Sequence, residues 1–324
     1  MTAIVPPRSL KVRELGLRPG TQLVALLVIV LIVGVLLEPA LLSERNIYAL
    51  LQNSLAPLII ALGASVALYA GIPDLSVGSV VGATAMLFAV TLQATNSLLL
   101  ATVVALAGGI LIGLINGIAV VNFGADPLVV TLGTLAALRG LTFVIGGNSS
   151  IIATSAPLQA MTAARVGPIP ILFILVIAIY AVVSFHLSRS RLGRHIQAIG
   201  GSEEAARRAG ISVNGVKRLL LVLTAVLSAF AALIYLGQLS AAPITLGVGL
   251  ELQIYAAILI SGFSLTNGGI GNPMVTVAGL LLLTTISSLL SLENVPLGWQ
   301  NVITGAILAG AVTIDVHRRK NRFE

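Results

Sequence analysis

Long apolar runs separated by short polar breaks fill this chain. Runs at 21–42, 47–70, 75–92, 97–121, 127–145, 169–187, 219–239, 250–263, 273–290 and 297–316 stand out. A helix that crosses a bilayer needs about 20 predominantly apolar residues, and most of these runs meet that length. The run at 250–263 is short and reads as half-buried or re-entrant. Only Gly71-Ile72-Pro73-Asp74 separates the second run from the third. The pattern predicts an all-α, polytopic transmembrane helical bundle of about ten helices. It has an N-terminal tail (1–20), a membrane domain (21–316) and a C-terminal tail (317–324). The first run begins too far from the start, and is followed by too much apolar chain, to read as a cleavable signal; it reads as the first transmembrane helix.

Charge orients this bundle. Fifteen of the 18 Lys and Arg residues fall in three segments. Arg8, Lys11, Arg13 and Arg18 lie in the N-tail. Arg189, Arg191, Arg194, Arg207, Arg208, Lys217 and Arg218 lie between the sixth and seventh runs, and Arg318, Arg319, Lys320 and Arg322 lie in the C-tail. The positive-inside bias puts all three in the cytoplasm. Six crossings followed by four are consistent with that placement, with both termini inside. The same segments account for a pI near 10.4. Lipid contact explains their charge, and nucleic acid is not an expected partner.

Composition agrees. The chain of 324 residues is 57% apolar and 9% charged, against about 25% charged in soluble domains, and its mean hydropathy is +1.06. There is no cysteine, so disulfides and thiolate metal sites are excluded. His186, His195 and His317 are scattered and form no plausible metal cluster. None of Lys11, Lys217 and Lys320 stands in a Gly-Lys-Ser/Thr context, so a P-loop is absent. No His-Glu-x-x-His or Gly-x-Ser-x-Gly motif suggests an intramembrane enzyme. No catalytic residue and no bound cofactor is expected of this chain.

The loop 188–218 carries a miniature helix at 202–210. Ser202 is the expected N-cap, and Glu203 and Glu204 face the positive end of the helix dipole. Ala205 and Ala206 propagate the helix, Arg207 and Arg208 face the negative end, and Gly210 provides a left-handed stop. Gly200 and Gly201 are expected to isolate it from what precedes. So short a helix needs a surface to pack on: either the ends of its own transmembrane helices or a groove on a cytoplasmic partner.

Other candidates lie in or beside the spans. Pro73 and the glycine-rich break at Gly268 and Gly269 interrupt helices, and such interruptions in transporters mark a pathway or a hinge. Asp74, followed by Ser76, reads either as the cap of the third helix or as a pathway group. Arg139 lies well inside the fifth helix, to pair with a carbonyl or polar group of another helix or to line the pathway. Asn53, Asn116 and Thr131 are neutral hydrogen-bonders that serve as interhelical glue or as pathway contacts. Asp126 and Glu251 suit helix starts, and Ser155 is positioned to open a short interfacial helix. The Gly109-x-x-x-Gly113-x-x-x-Gly117 face is a packing signal.

Four ordered stretches carry a resemblance. Gly193, Ala198, Gly200, Gly201, Ala205, Ala206, Gly210 and Ile211 match the cytoplasmic loop pattern of the ribose/xylose/arabinose-type ABC permeases, which are related to the branched-chain amino-acid permeases. GIPDLSVGS (71–79), NGIAVVNFGADPLVVTLGTLAALRG (116–140) and ELQIYAAILISGFSLTNGGIG (251–271) are similar to three further signatures of that family. Departures stand at Ile72, Pro73, 261–263 and 271–274. The resemblance implies the permease subunit of an importer in the bacterial inner membrane. In that reading, 202–210 couples to a separate ATPase with two nucleotide-binding domains, which uses the ATP. A periplasmic solute-binding protein delivers the cargo, and a second permease copy or paralogue completes a dimer. The implied cargo is a small polar solute, a monosaccharide above all. The competing class is an ion-gradient-driven secondary transporter, for which acids deep in the spans are the expected signal. None lies mid-helix.

Overall fold

The computed structural model describes residues 19–265, 268–296, 298–300, 302–307, 309–310 and 313. The basic N-tail and C-tail, and part of the run at 297–316, lie outside the described residues. The chain is a helical bundle. In order it forms α1 (Pro19–Leu37), a 3-10 turn (Pro39–Leu42), α2 (Glu44–Tyr69), α3 (Val77–Thr95), α4 (Leu98–Asn122), α5 (Pro127–Gly146) and α6 (Ala156–Ala163). Then come α7 (Ile171–Arg189), α8 (Arg191–Gly201), α9 (Glu203–Arg208), α10 (Val213–Leu239), α11 (Leu250–Ile260) and α12 (Pro273–Leu292). Among the described residues, eight helices are long and apolar enough to cross a membrane: α1 to α5, α7, α10 and α12. Helical backbone recurs at 298–300 and 302–307.

Helices α2, α3 and α10 form the centre. Most of their residues are buried, as expected of spans that largely face other protein, although Leu219, Leu223 and Phe230 leave one side of α10 outward, whereas α1, α5 and α7 leave most of their apolar surface outward. Small residues set the closest approach. Gly109 and Gly113 on α4 press against Ala225, Ala229 and Val222 of α10, so the glycine face of α4 serves the core of the monomer. Asp126 accepts from Leu128 N–H (2.8 Å) and caps α5.

Two pairs of minimal strands decorate one end. Strand β1 (Ile151–Ile152) pairs antiparallel with β4 (Ala241–Ala242), and β2 (Arg165–Val166) pairs with β3 (Ile169–Pro170). Helices α8 and α9 sit at the opposite end. The region after Ser155 is helical as expected, although Ser155 itself makes no capping bond to α6.

Three sequence expectations need correction. The third helix begins at Val77, not Leu75. Asp74 turns the chain one step earlier, where its Oδ1 accepts from Ser76 N–H (2.9 Å) and Ser76 Oγ (2.5 Å). Gly200 and Gly201 are not a flexible spacer but the last turn of α8. The seventh span begins at Val213, so Lys217 and Arg218 stand on its first turns rather than in a loop.

Candidate functional site

The break between α2 and α3 is the first centre of polar structure. Tyr69, Ala70 and Gly71 end α2, and Gly71 takes a left-handed φ of 76°. Pro73 follows, and Asp74, Ser76, Asn116 and Thr131 meet around it, all four fully buried. Asn116 on α4 donates from Nδ2 to Ser76 Oγ (3.2 Å) and accepts at Oδ1 from Thr134 Oγ1 of α5 (2.6 Å). Leu75 N–H donates to Thr131 Oγ1 (3.2 Å), and Asp74 N–H donates to Tyr255 Oη of α11 (2.6 Å). The freed backbone groups of the break are thus held by side chains from α5 and α11, the arrangement that hydrocarbon surroundings require. Asp74 Oδ2 is buried without a hydrogen-bond partner.

The second centre is a broken crossing. After β4 the chain does not form a helix. Pro243 to Leu250 make consecutive turns, with Leu246 N–H bonded to the Pro243 carbonyl (2.9 Å) and Val248 N–H to the Thr245 carbonyl (3.1 Å). Helix α11 then runs for 11 residues, about 16 Å at 1.5 Å per residue, roughly half of a 30 Å hydrocarbon core. The unwound segment lies in a groove on α3 that two glycines open. A methyl on Gly78 would stand 2.5 Å from the Gly247 carbonyl, and one on Gly82 would stand 2.7 Å from that of Leu246.

Arg139 holds this segment. Its guanidinium donates to the carbonyls of Leu246 (3.4 Å) and Gly247 (3.3 Å) and lies 3.7 Å from Glu251 Oε1 at the start of α11. Of the two roles open to Arg139 from the sequence, pairing across helices is the one observed. Glu251 Oε2 remains buried and unbonded.

A partly open cavity of about 710 Å3 adjoins the broken crossing. Its lining includes Asn46, Asn53 and Pro57 from α2, Tyr235 from α10, and Gly249, Leu250 and Gln253 at the start of α11. Thr284, Ser287 and Ser288 contribute from α12, and among the described residues none that lines it is charged. The cavity lies toward the end where α2 starts and α12 finishes, away from α8 and α9. Pro57 stands 13 residues into α2, so the cavity reaches about 20 Å along that helix. Asn53 is the one sequence candidate here. Gln253 and Tyr235 were missed, although an amide within an apolar run was a readable signal.

The third centre is the α8–α9 loop. Ser202 Oγ accepts from Ala205 N–H (3.3 Å), and Gly210 closes the turn with φ 79°. Glu203 and Arg207 pair at 2.7 Å, Glu204 and Arg208 at 2.5 Å, and Lys217 of α10 joins Glu203. Burial alone would raise the Glu203 pKa, but hydrogen bonds and charge from Lys217 and Arg207 outweigh it and hold the carboxyl below its usual range. Ala206 is buried against the protein while Arg208 is exposed. Helix α8 was not foreseen. Its Ile196 and Ile199 are buried and its arginines face outward.

Gly268 and Gly269 do not line the cavity. They lie beside Gly71 and Gly200, where α2, α8 and the segment following α11 touch.

The sequence profile of the family described as "Branched-chain amino acid transport system / permease component" matches residues 46–312. The chain belongs to this family. It is 33% identical over 306 residues to the Autoinducer 2 import system permease protein LsrC of Enterobacter sp. (strain 638), covering 92% of this chain and 88% of the relative. It is 31% identical over 288 residues to the L-arabinose ABC transporter permease protein AraH of Azospirillum brasilense, covering 88% and 84%. With LsrC of Escherichia coli O157:H7 the identity is 30% over 298 residues, covering 92% and 86%. No solved structure matches. The chain is therefore a transport permease rather than an enzyme, a multi-pass protein of the bacterial inner membrane, as its apolar helices require.

Proposed function

We propose that this permease forms the translocation pathway of an ABC importer for a small uncharged polar solute of the monosaccharide class. One observation carries the reading: a cavity lined by neutral hydrogen-bonding groups, placed against the N-terminal end of a half-helix. Discontinuous helices build solute sites in transporters because their free backbone groups face the pathway. Uncharged amides and hydroxyls at Asn53, Gln253, Tyr235, Ser287 and Ser288 suit hydroxyl-bearing cargo and offer no counter-charge to an ion. Relatives named for autoinducer 2 import and for L-arabinose transport support a small polar cargo.

The drive comes from a separate ATPase pair in the cytoplasm, docked on α8 and α9 through Ser202, Glu203, Glu204, Ala205, Arg207, Arg208 and Gly210, with the buried Ala206 seating α9 on the bundle. ATP is bound there and not on this chain. A periplasmic binding protein delivers solute at the cavity end, and a second permease chain completes the transporter. Differential affinity of ATP for the two conformations drives the cycle.

The chain has no cysteine, so a single introduced thiol can be labelled without background. A Gln253→Cys variant in cells that import L-arabinose through this system should react with a membrane-impermeant maleimide applied from outside. Uptake should then fall at least tenfold, and solute present during labelling should protect. Complete labelling with undiminished uptake would place the pathway elsewhere.

A further inference from the structure

We infer that the cytoplasmic exit is closed by a backbone latch in which Gly200 of α8 fits between Tyr69–Gly71 and Gly268–Gly269, so that α8 itself is the bolt. The inference rests on the functional reading above and assigns the moving contact within it.

Three backbones meet here with no side chain between them. A methyl on Gly268 would stand 2.5 Å from Gly200 Cα, 2.6 Å from Gly71 N and 2.8 Å from the Tyr69 carbonyl oxygen. A methyl on Gly200 would overlap that same carbonyl and Gly269 N. Gly269 N–H donates to the Tyr69 carbonyl (2.6 Å), and a methyl on Gly269 would lie 3.2 Å from the Gln197 carbonyl of α8. A side chain at Gly200 or Gly268 would hold the three segments apart. The glycines thus matter here for closeness, beyond any freedom they give the turn.

The latch stands between the proposed motor site and the pathway. Helix α8 is continuous with α9 through Ser202 alone. On the other side, the joined segments are the helix breaks that follow α2 and α11. Phe263 is fully buried behind the latch, edge-on to Tyr69 with ring centroids 6.4 Å apart, and Tyr255 binds Asp74 N–H one step further along. The cavity ends on the far side of these aromatic rings, at Pro57 and Gln253. The contact at Gly200 is backbone on backbone, while Ile196 and Ile199 of the same helix pack beside it in a small apolar cluster with Val66, Ala67, Ala70 and Ile72, so a shift of α8 opens the glycine contact and this cluster together. A displacement of α9 by the ATPase would carry α8 with it, part Gly200 from Gly268 and free both breaks together.

The experiment pins α8 to the segment it is proposed to leave. In the otherwise thiol-free chain, Gln197→Cys and Ile270→Cys flank the contact, and neither replaces a latch glycine. The complete transporter, reconstituted with its ATPase and binding protein, is treated with a short bis-methanethiosulfonate reagent. High cross-linking yield is expected at rest, with ATP-driven L-arabinose uptake reduced at least tenfold and restored by reductant. The single-cysteine variants should keep uptake under the same treatment. A cross-linked protein that transports at the untreated rate would overturn the latch, and so would failure to cross-link at rest. Absent ATP-driven uptake in the untreated wild-type transporter would instead refute the functional reading, and cross-linking yield would still judge the resting contact by itself.

Discussion

At the scale of single residues, the polar groups inside the bundle include some that hold helix breaks, some that face the cavity, and hydroxyls such as Ser65, Thr84, Thr224 and Ser228 that bond back to their own helix. Asn116 is of the first kind, bridging Ser76 and Thr134. Asn116→Ala should lower the stability of the detergent-solubilised protein by about 1–2 kcal/mol, since interhelical hydrogen bonds in membranes contribute on that order; thermal unfolding by intrinsic fluorescence checks it. Arg139 and Glu251 form a coupled pair. Arg139→Met strips the Leu246 and Gly247 carbonyls of their donor and leaves a buried carboxylate, which should cost about 2–3 kcal/mol, below the usual figure for a broken buried pair because both side chains keep some exposure. The double variant Arg139→Met/Glu251→Gln should recover part of that loss, which a double-mutant cycle would measure. Arg139 was legible as a residue needing a partner, because a charge inside a span is expensive. Its partner was not legible. Carbonyls exposed by unwinding at 243–249 leave no mark on side-chain hydropathy.

At the scale of elements, α9 reads directly from sequence: cap, acidic first turn, alanines, basic last turn and glycine stop all stand in the nine consecutive positions 202–210. Ser202→Ala removes the acceptor for Ala205 N–H and should destabilise this helix by about 1 kcal/mol, seen as faster hydrogen exchange confined to 203–209. The Glu203 contact with Lys217 gives α9 a pH dependence of known sign. Because the folded carboxyl titrates below its ordinary value, its contribution is complete above the unfolded pKa and is lost as pH falls through the folded one. Exchange protection of α9 should therefore be flat from neutrality down to the ordinary glutamate range and decline below it, and Glu203→Gln should abolish that decline. The half-helix α11 was legible only as a short run. What stays hidden is that its missing length is made up by an unwound segment in the Gly78–Gly82 groove. Glycine spacing on α3 signals close packing but does not reveal what packs. Helix α8 escaped notice for a related reason: its few buried apolar positions, Ile196 and Ile199, sit among arginines that belong to topology.

At the scale of the whole molecule, two structures occupy opposite ends of the bundle. The polar cavity lies toward one end, and the basic α8–α9 module lies at the other, with buried aromatic rings and close glycine contacts between them. The class of the protein was legible throughout, because apolar runs and basic loops follow directly from the bilayer as solvent. The cavity proposed as the pathway was less so, since it is lined by residues as far apart as Asn53, Gln253 and Ser288, which only the fold brings together. The central claim is that transport needs a motor which this chain lacks. The most direct measurement is accumulation of the monosaccharide-class cargo in vesicles containing the permease with its ATPase and binding protein, set against vesicles containing the permease alone under an imposed proton or sodium gradient. The account predicts ATP-dependent accumulation in the first and no gradient-driven accumulation in the second. Concentrative uptake by the permease alone, driven by the gradient, would contradict it.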